Sequence, residues 1–157
     1  MFSLIITIIS IALVAALALA TIYYGGSAFN KGSADAKASQ FINEGQQLTG
    51  AITMNKADAT ADTTGSVVAA TTVSALAPKY LSQIPQGWDG TAAIGAGGDA
   101  TSFVSHASVR DDVCASVNSK AGLPASGVAT QANVTTQYGC FGGGTGSGNT
   151  GTLVYKY

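Results

Sequence analysis

The stretch FSLIITIISIALVAALALATIYY, residues 2–24, decides how the rest of the chain is read. Ahead of its closing tyrosine pair the only polar side chains are Ser3, Thr7, Ser10 and Thr21, and no charged residue occurs from Met1 to Asn30. A bilayer core is crossed by roughly 20 apolar residues in helical form, so this segment is long enough to span a membrane. A helix apolar on every side otherwise belongs inside a large core, and 157 residues are too few to wrap one. A secretory signal peptide is the competing reading, because the alanines at 16–20 and Gly25-Gly26-Ser27 both imitate a cleavage site. Such peptides open on a positive charge and carry an apolar run of about 7–15 residues. Here the run is longer and its start is uncharged, which fits a chain whose charged leader has been removed.

Working outward, the helix is expected to continue with a changed character. Residues 1–24 are apolar all round, whereas 28–54 read as amphipathic, with Phe29, Phe41, Leu48 and Ile52 on one stripe at spacings built from threes and fours. Lys31, Asp35, Lys37, Asn43, Glu44 and Gln47 largely take the other faces. A helix of about 50 residues would be about 75 Å long, its first half protruding from whatever the second half packs on. Gly25, Gly26 and Gly32 mark the junction. They read either as a loop between a membrane span and a domain, or as a point where a continuous helix extends locally on assembly, since each glycine costs a helix roughly 1 kcal/mol relative to alanine.

Beyond Met54 the composition turns to Ala, Thr, Gly and Ser. Residues 57–66 read as a surface loop with too few large apolar groups to pack. Ser74–Leu81 is a short helix candidate, and Pro85 stops further helix there. Strands are expected at 91–96, 101–108, 134–141 and 152–157, each bounded by turn residues. Asp111–Lys120 carries acids in its first turn, a lysine at its end and Gly122 behind it, the pattern of a capped helix. The expected organisation is therefore a helix over 1–54 and a globular head over 55–157.

The chemistry that the composition excludes is as informative. The formal net charge is −1 and only 10% of residues are charged. The seven basic residues stand singly between Lys31 and Lys156, so no footprint for nucleic acid exists. His106 has no nucleophile or orienting acid in its sequence context. Asp111-Asp112 are neighbours that diverge on a helix and suit its N-terminal dipole. The glycine-rich run 142–151 lacks the Gly-Lys-Ser/Thr ending of a phosphate-binding loop and reads as a flexible connection between strands. No catalytic, cofactor or metal site is expected, and no enzyme activity. Cys114 and Cys140, with a single histidine, fall short of structural zinc. In an exported chain the even count reads as a disulfide worth roughly 3 kcal/mol, and in a cytosolic one as two free thiols.

Four segments in order carry a resemblance. Phe2-Ser3-Leu4-Ile5-Ile6-Thr7 is similar to the Phe-Thr-Leu-Ile-Glu opening of mature type IV pilins, and Asn43 to Ala51 resembles the second half of the pilin helix. Tyr80-Leu81-Ser82-Gln83-Ile84-Pro85 with Trp88 looks like the passage from helix to sheet. Cys114 to Asn118 with Cys140 resembles the disulfide-bounded region of the type IVb branch. The resemblance implies an α+β fold, a long helix packed on a small antiparallel sheet, with residues 1–54 as membrane anchor and fibre core. It implies leader removal by a prepilin peptidase, N-terminal methylation, an inner-membrane assembly machinery, and a homo-oligomeric helical filament outside a bacterial cell. Phe2, Leu4, Ile5, Ile8, Ile9, Ile11, Leu13, Val14, Leu17 and Leu19 then form the assembly core, with Gly25, Gly26 and Gly32 giving the helix flexibility.

One departure stands out. The family places a glutamate a few residues into the mature chain to pair with a neighbour's N-terminal amine, and here that place holds Ile5 or Ile6, with no acid before Asp35. The amine is then expected to lose its proton, to bond to free carbonyls or to hydroxyls such as those of Ser3, Thr7 and Ser10, or to stay near a polar edge. A pseudopilin of a secretion or DNA-uptake system, and a membrane-tethered binding domain that never polymerises, are the alternative readings.

Overall fold

Leucine, isoleucine and alanine dominate residues 2–24, and their backbone has no polar partners but itself. The computed structural model, which describes residues 2–62, 64, 70–94, 102–142 and 149–157, makes this stretch the start of one long helix, α1 (Phe2–Ala61). Its few hydroxyls turn inward on the helix: Thr7 Oγ1 donates to the Leu4 carbonyl at 2.8 Å, Ser10 Oγ to Ile6 at 2.8 Å, and Thr21 Oγ1 to Ala18 at 2.9 Å. These three hydroxyls are thereby satisfied without leaving the helix surface. The helix also runs unbroken through Gly25, Gly26 and Gly32, so the loop expected as one reading of that junction does not occur in the isolated chain.

The chain divides after Ala34 into two compact units. In the first, residues 2–33 are exposed along their whole length. In the second, the part of α1 from Asp35 onward buries Ala38, Gly45, Leu48, Ala51, Ile52 and Asn55, whose spacings follow the helical repeat. Leu48 and Ile52 sit where the amphipathic pattern puts them, and Phe41 is half-buried. Phe29 departs from that expectation at 77% exposed, and the first buried positions along α1 are small residues, Ala34 and Ala38, rather than an aromatic one.

Residues 57–61, expected as loop, are the last turn of α1. Ala57, Ala59 and Ala61 are strong helix formers, and Asp58 is tied down by the Tyr80 hydroxyl at 2.9 Å and by Lys79 Nζ at 3.7 Å. The buried Asn55 carboxamide accepts from the Ala70 N–H at 2.7 Å. Residues 63, 65 and 66 of the expected loop lie outside the described residues.

Among the described residues three strands form one antiparallel sheet: β1 (Phe103–Arg110), β2 (Tyr138–Phe141) and β3 (Thr150–Lys156), in the order β1-β3-β2. β3 is the central strand, and Gly151, Leu153, Val154 and Tyr155 on it are buried. β1 pairs with it from Phe103 opposite Lys156 to Arg110 opposite Thr150, broken by a bulge between His106 and Val109 where Ser108 takes φ 58°. A bulge inserts an extra residue and bends the strand.

The strand expected at 101–108 is thus shifted along the chain, and that at 152–157 begins two residues earlier. The one expected at 134–141 shrinks to four residues, since Val134 donates its N–H to Gln131 and closes a 3-10 turn, Gln131–Asn133. Of the strand expected at 91–96, Ala93 makes a single bridge to Thr72, and residues 95 and 96 lie outside the described residues. The expected helix at 74–81 is only a 3-10 turn, Val73–Leu76, because Pro78 removes a donor from the next turn.

The helix α2 (Asp111–Ala121) matches its expected span closely, with Asp111 and Asp112 in the first turn and Gly122 at φ 75° as the left-handed cap. The disulfide Cys114–Cys140 ties it to β2, with 5.4 Å between the two α-carbons. One turn further on, the fully buried Asn118 donates Nδ2 to the Cys140 carbonyl at 3.1 Å and accepts the Cys140 N–H at 2.7 Å. Its carboxamide completes the hydrogen bonding of an edge strand as another strand would.

Candidate functional site

Two surfaces deserve a functional reading: the apolar helix of residues 2–24 and a polar groove on the second unit. Along the first, the exposure of the ten expected core residues runs from 53% at Ile5 and Ile9 to 85% at Phe2. Full burial of such a side chain contributes about 1.5–3 kcal/mol. Ten of them represent an unrealised driving force on the order of 15–30 kcal/mol, far more than a folded chain of this size leaves in water. About 23 residues of helix span about 35 Å, enough to cross a hydrocarbon core. The helix is long and apolar enough to cross a membrane.

The end of this segment is chemically distinct. Tyr23 and Tyr24 meet edge to face at 5.6 Å and are 80% and 74% exposed, and the first charge, Lys31, follows two turns later. Rings with a polar tip at the end of an apolar run suit the boundary between hydrocarbon and water. Ala12, Ala15, Ala16, Ala18 and Ala20 lie just before them, where small side chains let helices approach closely. Asp35, the first acid, belongs to the second unit, where its carboxylate accepts a short hydrogen bond from Ser116 Oγ. That bond joins α1 to α2 across 81 positions in sequence.

His106 is held by packing. Its ring lies 4.5 Å from Phe41 and 5.6 Å, edge to face, from Trp88, and Nδ1 is 2.9 Å from the Ala107 carbonyl. A Cβ at Gly87, whose φ is +92°, would come within 2.7 Å of its Cε1, so glycine is needed there on both counts. Asp89 caps the adjoining turn: its carboxyl is held below the ordinary value by the Thr91 hydroxyl and N–H. Both oxygens of Asp111 are buried without a hydrogen-bond partner at the start of α2, where the helix dipole favours negative charge. Among the described residues no three His, Cys, Asp or Glu side chains converge as a metal site would require.

The groove was not legible beforehand. Its volume is about 920 Å³, and it is open to solvent between one face of α1 and the segment 80–86. Gln40, Asn43, Glu44 and Gln47 line the helical wall at spacings that place them on one face. Tyr80, Gln83 and Gln86 stand opposite. Glu44 is fixed from both sides: Oε1 accepts from Gln40 Nε2 at 2.8 Å and Oε2 from the buried Trp88 indole at 2.9 Å. Glu44 and Trp88 are 44 positions apart, and no local pattern announces such a pairing.

Comparison with known protein families, with curated proteins and with solved structures finds no match to this chain.

Proposed function

We propose that this chain is a structural subunit of a type IV pilus-like extracellular filament, held in the bacterial inner membrane through residues 2–24 before assembly and packed through the same residues afterwards. The observation that carries the reading is the exposed, charge-free apolar helix of residues 2–24, which continues without a break into a stretch of α1 packed on a three-stranded antiparallel sheet. A surface of that kind needs an apolar environment, and a bundle of identical helices supplies one after the membrane has been left. The Cys114–Cys140 bond supports an exported chain, because disulfides persist in oxidising compartments.

Assembly here runs on apolar packing alone. Residues 2–34 contain no carboxylate to neutralise an N-terminal amine, and Thr7 and Ser10 spend their hydroxyls on their own backbone in the isolated chain. Burial lowers the pKa of an amine, and an α-amino group begins near 8, so loss of its proton is within reach.

The test is mass spectrometry of the N-terminal peptide from chain sheared off intact cells. The reading expects the chain in the sheared fraction with a methylated amine at its processed start. Recovery only with the membrane pellet, carrying an unmodified amine, would favour a tethered domain and end the filament reading.

A further inference from the structure

The groove beside Glu44 has a composition that selects a ligand class, independently of whether the chain polymerises. Five of its side chains are carboxamides, those of Gln40, Asn43, Gln47, Gln83 and Gln86, and all five are exposed. A carboxamide offers one acceptor and two donors on the same planar group. A ligand that matches several of them must itself donate and accept at each point, as a hydroxyl does. We infer that this groove binds a neutral oligosaccharide.

Other chemistries fit less well. No Lys, Arg or His lines the groove, and the neighbouring Lys79, whose Nζ lies over the Tyr80 ring at 4.9 Å, is already paired with Asp58 at 3.7 Å, so a phosphate, sulfate or uronate would find no unpaired countercharge in the lining. The single carboxylate, Glu44, already accepts from Gln40 and Trp88, which leaves it a structural anchor for the wall rather than a free site for a cation. One mode of capturing an extended peptide adds it to a sheet edge through its backbone. Here one wall is a helix whose N–H and C=O groups are spent on its own ladder, so on that wall only side chains are available to read the ligand. The wholly apolar side chains of the lining are three, Ala36, Leu81 and Pro85.

Tyr80 supplies what a sugar ring needs in addition. Its hydroxyl is committed to Asp58 at 2.9 Å, so its half-buried ring is held in place at the groove. Lys79 Nζ covers one face of the ring at 4.9 Å from its centroid; aromatic faces carry negative charge density, and the other face can attract the polarised C–H faces of pyranoses. A volume of about 920 Å³ falls at the upper end of small-molecule sites, and an open groove admits a segment from within a longer glycan.

The experiment is a titration of the full chain in dodecylphosphocholine micelles, a detergent without sugar, followed by 15N–1H correlation spectra of the carboxamide NH2 groups. Chitohexaose, cellohexaose and maltohexaose are the neutral probes, and hexagalacturonate is the acidic one. At least one neutral probe should shift the signals of Gln40, Asn43, Gln47, Gln83 and Gln86 with a Kd of roughly 1 mM or tighter. Gln83→Ala combined with Gln86→Ala should weaken that binding roughly tenfold while the melting temperature holds, since both side chains are exposed. The inference is overturned if no neutral hexasaccharide moves these signals, if hexagalacturonate binds the groove more tightly than they do, or if the double variant binds as well as the parent. Because the readout is confined to residues 40–86 of an unpolymerised chain, its failure leaves the filament reading untouched.

Discussion

Alanine at Gly45 and alanine at Gly50 should move stability in opposite directions, although both glycines lie inside α1. In an open helix interior the change from glycine to alanine gains about 1 kcal/mol, because the unfolded chain loses freedom and the helix none. At Gly50 a Cβ meets nothing within 4 Å, so that gain should appear nearly whole, at about 0.5–1 kcal/mol. At Gly45 the same Cβ would stand 2.9 Å from Cγ and 3.1 Å from Cε2 of Tyr155.

Cγ is the root of the ring and cannot swing aside. The residue is 1% exposed, and its ring stacks on Tyr138 at 5.5 Å, so retreat is blocked on the far side. Overpacking of this kind costs about 1–3 kcal/mol. With the helix gain set against the upper part of that range, Gly45→Ala should lose about 1–2 kcal/mol. The two variants should then differ in melting temperature by roughly 6–12 °C for a unit of this size. Thermal unfolding followed by near-ultraviolet circular dichroism in micelles reads both. If Gly45→Ala is as stable as Gly50→Ala, the close seat of α1 beneath Tyr155 is wrong.

Asn118→Ala should cost about 2–4 kcal/mol in urea unfolding, because it orphans the N–H and C=O of Cys140 in a buried site; a loss under 1 kcal/mol would show that water replaces the carboxamide. Burial raises the Tyr155 phenol above its ordinary value, partly offset by a hydrogen bond from Gln46. The unfolded chain therefore ionises first, and stability should hold below about pH 10 and fall above it; in Tyr155→Phe this alkaline loss should shrink, as a pH series of melting curves would show. Reducing Cys114–Cys140, which lie 26 apart in sequence, should cost about 3.5 kcal/mol on the chain-entropy account, and thiol labelling of the unfolded, unreduced chain should find no free thiol. Filaments should survive high salt, since no ion pair can form among residues 2–30; steep loss of sedimentable fibre with added salt would refute that.

What could be read in advance depended on how many local signals agreed. α2 was legible because acids, a terminal lysine and Gly122 all marked the same eleven residues. The apolar half of α1 was legible from length and lack of charge. Val134, Thr135 and Thr136 have strand-forming side chains, yet turn chemistry wins there. Val134 closes a 3-10 turn, and the Thr136 hydroxyl donates to the Tyr138 carbonyl at 2.7 Å. At 57–61 the lack of large apolar groups read as loop, whereas the chain is helical there and Asp58 is held by Tyr80 and Lys79, some twenty positions away. The groove is the extreme case. Its two walls, 36–47 and 80–86, carry unremarkable polar residues that acquire meaning only when folding sets them face to face.

The central claim is that residues 2–24 pack against copies of themselves in a fibre. Helical reconstruction by electron microscopy of filaments sheared from cells that express this chain tests it most directly. The account predicts a central bundle of helices built from residues 2–24, with Phe2, Ile5, Ile9 and Leu13 in interhelical contact. It also predicts hydrogen bonding interrupted between Gly25 and Gly32, where the isolated chain is continuous. A fibre whose core is made of other residues, or cells that hold the chain in the membrane and carry no filament of it, would contradict the account.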